Sequence, residues 1–258
     1  MKIEEGEKQL DIELCEMKTD KTFTYWDSKS KSYVKADHIK VLPKSHFLLA
    51  VIGRAGSGKS SSVCSWFSSR GKNSRVYRGC FDRIYFICNS TSMSSMKNSP
   101  WKDIPEEQMW QDFNQESLEE VFECIRENSA NNMDSCIIID DCVNKTRTCE
   151  AEFANMCLVH RHFKFSVVLC LQDAKMLSPQ LRNNFSGVLL FRNENKIREK
   201  IIRDEWLSFL TQEEFSKFCK YVWRNHGDSL YVSLRDHPIK LYRNFKLLSI
   251  TGYESEVV

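Results

Sequence analysis

Eight consecutive residues, Gly53-Arg54-Ala55-Gly56-Ser57-Gly58-Lys59-Ser60, satisfy the pattern G-x-x-x-x-G-K-[ST] in full. Glycines at these places let the backbone curl so that successive N–H groups point inward, where they can hold phosphate oxygens. Lys59 is expected to reach the β- and γ-phosphates and the Ser60 hydroxyl to ligate Mg²⁺, with Ser61 as the next member of the cradle. The helix that starts here adds the positive end of its dipole. The context also fits: the apolar run Phe47–Ile52 precedes the loop, and a Ser-rich helix carrying Val63, Trp66 and Phe67 follows it. This is a nucleotide site.

Two further groups complete the chemistry. Ile137-Ile138-Ile139-Asp140-Asp141 is an apolar strand ending in acids, which places the Asp140 carboxylate beside Mg²⁺. In additional-strand ATPases the next carboxylate polarises the attacking water, usually as Glu; here it is Asp141, shorter by a methylene. If Asp141 only caps the turn, Glu150 or Glu152 can supply the base. Gln172 ends the strand Val167–Leu171, where a polar side chain enters the ligand crevice and can bond the γ-phosphate or the lytic water. A guanine reader would need Asn-Lys-x-Asp, but Asn144-Lys145-Thr146-Arg147 has Arg in the last place, so ATP is the expected nucleotide. The stretch Lys196–Lys200 interleaves bases with acids and reads as a solvated helix face rather than a kinase lid.

The elements that must position these groups follow from the pattern of apolar residues. Strands are expected at 47–52, 83–88, 136–140, 166–171 and 188–191, alternating with helices around 59–67, 117–125 and 152–162, then charged helices over 195–224. Continuous apolar strands between helices indicate a mainly parallel sheet covered on both faces. The expected fold is α/β: a RecA-like P-loop NTPase, its central sheet flanked by helices, with small β additions at both termini. The whole chain, 1–258, reads as one domain. Residues 1–20 are expected to be loosely ordered, 22–35 a hairpin, 92–115 an irregular surface insertion, and 226–258 a β-rich tail with strands at 230–234 and 239–242. A capping box is expected from Ser117 to Glu120.

Composition bounds the rest. The 258 residues are 41% hydrophobic, enough for a sizeable core, and 37 Lys and Arg against 35 Asp and Glu leave a net charge of only +2. That balance neither requires nor excludes a nucleic-acid partner, since a local basic patch suffices. The first residues are acidic and polar, so no signal peptide is expected, and no apolar run approaches the ~20 residues of a membrane span. Eleven cysteines, several inside apolar strands, read as small core residues in a reducing compartment. The gaps among Cys136, Cys142, Cys149 and Cys157 match no paired zinc-ligand spacing.

The order of these motifs resembles that of the poxvirus-type genome-packaging ATPases, within the FtsK/HerA group of DNA translocases. The resemblance is carried by the glycine-rich loop, Phe81–Ile87, the Ile-Ile-Ile-Asp-Asp strand, the block Arg161–Gln172, and Pro179–Ser186 with the strand ending at Phe191. It spans about residues 47–192. It implies a homo-oligomeric ring, a pentamer or hexamer, that threads double-stranded DNA into a preformed capsid and meets capsid or portal-vertex proteins. Such a motor would work in the host cytoplasm or nucleus where virions assemble, or associated with the virion. It also implies a trans-acting arginine; Arg182, in Leu181-Arg182-Asn183-Asn184, takes that place, with Arg192 second. The chain departs from the bacterial translocases, which carry an arginine where Val188 stands. DNA contacts would fall on Lys72, Arg75 and Arg78, with Tyr77 among them, or on Lys145 and Arg147, gripping phosphates without reading bases. The alternatives are another motor or helicase of the same fold, and a nucleotide-binding assembly factor that is not a motor.

Overall fold

A computed structural model describes residues 22–68, 76–88, 101, 104–140, 142, 149–192 and 195–250. Expectations for 1–20 and for Lys72, Arg75, Asp141, Lys145 and Arg147 lie outside the described residues.

Strands β1 (Thr24–Asp27) and β2 (Ser32–Lys35) form the expected hairpin, and the Asp27 carboxylate closes its turn by accepting from Ser30 N–H and Oγ at 3.1 and 2.8 Å. The main sheet then opens with β3 (Leu48–Ile52), followed by helix α1 (Lys59–Ser68), β4 (Arg83–Cys88) and a short edge strand β5 (Met109–Trp110). Helix α2 (Gln115–Ala130) leads to β6 (Ser135–Asp140), α3 (Glu150–Leu158) to β7 (Phe165–Leu171), and α4 (Pro179–Asn183) to β8 (Gly187–Phe191). Helices α5 (Lys196–Trp206) and α6 (Gln212–Val222) precede β9 (Ser229–Ser233), β10 (Lys240–Arg243) and β11 (Lys246–Leu248).

The sheet order is β11-β10-β9-β8-β3-β7-β6-β4-β5. From β8 to β5 every pairing is parallel, and the three C-terminal strands extend the sheet antiparallel. Strand β7 therefore stands between the loop-bearing strand β3 and the acid-bearing strand β6, which is the additional-strand arrangement. Because the central strands are buried on both sides, they are apolar at every position, and alternate residues serve opposite faces. Leu48, Ala50 and Ile52 face a layer built by α2 to α6, through Val121, Phe153, Leu181, Ile202 and Phe215. Phe47, Leu49 and Val51 face α1, through Val63, Trp66 and Phe67, together with the hairpin segment.

Several expectations are corrected. Helix α2 starts two residues early: Asn114 is its cap, accepting from Ser117 N–H at 2.9 Å while Ser117 Oγ accepts from Asn114 N–H at 3.1 Å, so Ser117 is the far half of the box. Glu120 instead accepts from Trp110 Nε1 at 2.7 Å. The stretch expected as a surface insertion contributes to the core: Trp101 is 3% exposed and stacks on Phe86 at 5.0 Å, Phe113 is wholly buried, and β5 pairs with β4. Its polar composition hid two buried aromatic anchors, Trp101 and Phe113. Tyr77, read as part of a DNA-facing patch, is wholly buried, stacks on Phe47 at 5.0 Å and donates to Pro43 O at 3.0 Å. Of the basic residues of that patch, Arg78 alone lies among the described residues.

Cys136, Cys142, Cys149, Cys157 and Cys170 are all buried in the two apolar layers. Burial pushes the thiols of Cys136 and Cys157 far above the ordinary range, so they stay protonated.

Removing the Trp101 ring opens a cavity against Phe86 and Phe67, so Trp101→Ala should cost about 3–5 kcal/mol of stability. Urea unfolding checks this; a loss under about 1 kcal/mol would return the segment to a surface role.

Candidate nucleotide-binding site

The glycine-rich loop begins where β3 ends, and its first amide, Gly53 N–H, still bonds across the sheet to Leu171 O at 3.0 Å. Gly53 must be glycine because a Cβ there would stand 2.6 Å from Ser57 Oγ and 2.7 Å from Phe191 Cβ. Gly58 adopts φ +101°, which side-chain-bearing residues rarely reach, and turns the chain into α1. Lys59 Nζ donates to Gly53 O at 2.8 Å and Arg54 O at 2.9 Å, so the ammonium is folded back over the loop. Ser60 and Ser61 follow in the first turn of α1.

Asp140 closes β6 and is only 5% exposed. The Asp140 carboxylate and the Lys59 ammonium both act electrostatically on the Cys170 thiol, the first raising its pKa and the second lowering it. Burial first, then the Asp140 carboxylate, push the Cys170 thiol well above its ordinary range. Lys59 and Asp140 thus both lie near the Cys170 sulfur, although they stand 81 positions apart in the sequence. Gln172 directly follows β7, whose last residue Leu171 pairs with Ile52, so it stands beside the entry to the loop and is exposed. A buried carboxylate and a first-turn hydroxyl are hard oxygen donors of the kind Mg²⁺ takes, and Asp140 and Ser60 would hold it; when bound it neutralises charge on the phosphates.

The remaining expected residues are placed differently. Glu150 accepts from Ser178 N–H at 2.5 Å and so ties the start of α3 to the cap of α4. Glu152 is exposed on α3. Arg182 is held within its own chain, with Nη2 2.9 Å from Glu205 Oε1 and the side chain 11% exposed. Arg192 lies beside the glycine-rich loop of its own chain.

Next to the loop, on the β8 side, is a cavity of about 320 Å³. Its walls are Arg54, Ala55 and Ser57 of the loop, Phe191 and Arg192 at the end of β8, and the turn His226–Asp228. The turn is docked from three directions. Trp223 Nε1 donates to Leu190 O at 3.3 Å, Arg243 Nε to Val222 O at 2.8 Å, and Arg243 Nη2 to Asp228 Oδ2 at 2.8 Å. Asn244 Nδ2 adds a bond to Asp228 Oδ1 at 2.7 Å. Burial pushes the Asp228 carboxyl up, but the bonds from Asn244, Asn225 N–H and Arg243 outweigh it and hold the group down at about 2. Sequence reading missed Phe191 and this turn as site residues. Asn225-His226-Gly227-Asp228 signals a turn, yet nothing in the sequence says which loop it faces.

Sheet order and loop position give the chain the fold of the P-loop NTPases, with β7 as the additional strand between β3 and β6. The curated relative found is the uncharacterized protein 088R of Invertebrate iridescent virus 3, 24% identical over 193 residues, which are 70% of this chain and 67% of that protein. No family model matches the chain. Among solved structures, the genome packaging NTPase B204 of Sulfolobus turreted icosahedral virus 2 superposes with a TM-score of 0.57 at 16% identity, covering 80% of this chain and 99% of that one. The same protein in complex with ATP-gammaS gives 0.55 at 17% identity, over 79% and 98%. EssC (ATPases 2 and 3) from Geobacillus thermodenitrificans gives 0.52 at 10% identity, over 88% of this chain and 44% of that structure. The chain thus has the fold shared by a viral genome-packaging NTPase and EssC. Among the described residues, no helix is long and apolar enough to cross a membrane.

Gly53→Ala should force the loop away from Phe191 and weaken ATP binding at least tenfold, read by titration with a fluorescent ATP analogue. The Asp228 network carries a pH signature with a defined sign. Its carboxyl is depressed from 3.8 to about 2 in the folded chain, so its stabilisation is complete above pH about 3.8 and is lost as pH falls through about 2. Denaturation midpoints across that window should fall less steeply with acid in Asp228→Asn.

Proposed function

We propose that this chain is an ATP-hydrolysing motor that moves double-stranded DNA into a viral capsid as a ring of identical subunits. The observation that supports this most is the placing of the loop that carries Lys59 after β3 and of the buried Asp140 at the end of β6, with only β7 between those strands, on a fold shared with a genome-packaging NTPase. Lys59 would leave the Gly53 and Arg54 carbonyls for the β- and γ-phosphates, and loop amides would hold the remaining oxygens. Asp141 would orient the attacking water, and Gln172 would bond that water or the γ-phosphate.

Arg182 is our candidate for the cation supplied across a subunit interface. It must first exchange Glu205 for the neighbour's phosphate, which would couple hydrolysis to assembly. Arg192 borders the loop of its own chain, so its role would be in cis. Double-stranded DNA, neighbouring copies and capsid or portal-vertex proteins are the proposed partners, and the site of virion assembly in the host cytoplasm or nucleus is the proposed place of action.

ATP turnover should rise when double-stranded DNA is added, and Lys59→Ala should lower it by about a hundredfold or more. Mixing Arg182→Ala with the unaltered chain should depress turnover more than dilution alone. Proportional loss would move the finger elsewhere. Binding of ATP with turnover indifferent to DNA, at concentrations where the chain assembles, would replace the motor with a nucleotide-gated assembly factor.

A further inference from the structure

The sheet order decides which way a bound nucleotide must lie. Asp140 and Gln172 belong to β6 and β7, both on one side of β3, so the metal and terminal phosphate are drawn to that side. The rest of the nucleotide must leave the loop on the other side, toward β8. That is where the cavity of about 320 Å³ lies, within the roughly 300–1,000 Å³ range of small-molecule sites.

We propose that the turn Asn225–Asp228 is the wall that recognises the base and ribose, with His226 stacking on the base; this rests on the reading of residues 53–61 as an ATP site. Phe191 gives an apolar floor, packed against Gly53 and 3.5 Å from where a Cβ on Gly58 would be. Ser57 Oγ, also in the lining, is buried without a hydrogen-bond partner among the described residues and can bond a sugar or phosphate oxygen. His226 is the exposed aromatic group of the turn, and a ring there can close over a planar base.

The turn is built to hold that ring still. Asn225 N–H donates to Asp228 Oδ2 at 2.8 Å, and Gly227 takes φ +83°, which sets the backbone at the tip. Asp228 itself is engaged by Arg243, Asn244 and the Asn225 amide, so it is a positioning residue and does not read the base. Arg243 also binds the Val222 carbonyl at the end of α6. The segment Arg243–Asn244 at the end of β10 therefore holds the turn in place through the Asp228 carboxylate.

The test compares ATP with inorganic tripolyphosphate, which engages the loop and lacks a nucleoside, by calorimetric titration of the full chain. His226→Ala should weaken ATP about fivefold or more, the range for losing one aromatic–base stack, and leave tripolyphosphate within twofold. His226→Phe should retain ATP affinity within about twofold. Equal ATP affinity in His226→Ala and the unaltered chain would overturn the proposal, as would Phe behaving like Ala. Lys59→Ala separates the two claims. If it leaves both ligands bound as before, the ATP-site reading fails; if it weakens both, that reading stands, whatever His226 does.

Discussion

The hydrogen bond from Gly53 N–H to Leu171 O is the last rung of the parallel ladder before the phosphate loop departs. It fixes where β3 stops relative to β7, and thus places Gln172 beside the loop on one side. On the other side β8 ends in register, so that Phe191 fills the space a side chain on Gly53 would need. A parallel sheet can do this because all its strands finish at the same edge. Shifting β3 by one residue would exchange Leu49 and Ala50 between the layers, so the apolar layers hold the register that the site depends on.

The two layers have different characters. One is covered by helices, of which α6 has a closed capping box, where Thr211 and Glu214 bond each other's amides at 3.3 and 2.9 Å. The other is an aromatic cluster in which Phe23, Phe47, Tyr77, Phe81 and Phe67 meet at ring distances from 4.9 to 6.4 Å. The first layer carries α6 and the turn that borders the phosphate loop. The second anchors the hairpin at the other end of β3, where Phe23 packs on Phe47. Chemistry and the N-terminal attachment thus sit at opposite ends of one strand.

Much of this was legible because parallel strands are apolar throughout and glycine-rich loops have a fixed spacing. Lys59, Ser60 and Asp140 could be read from local pattern, since each is defined by its place at a strand end or helix start. Segments whose role is set by distant partners could not. Trp101 lies in a polar stretch but is held by Phe86, and Tyr77 sits among basic residues but is held by Phe47. Strand β11 escaped notice because Lys246–Leu248 has too few residues to show a period. The turn at His226 looked like any connection, and Arg182 looked available because Glu205, its partner, is more than six turns of helix away in sequence.

The burial of so many thiols gives the chain an internal clock. Cys136, Cys157 and Cys170 are inert while the layers stay closed, because a protonated, enclosed sulfur neither attacks an alkylating reagent nor meets one. Each is reached only when its own strand or helix opens. Cys170 and Cys136 lie on β7 and β6, and Cys157 on α3, so the order in which they are trapped would record which part of the molecule yields first.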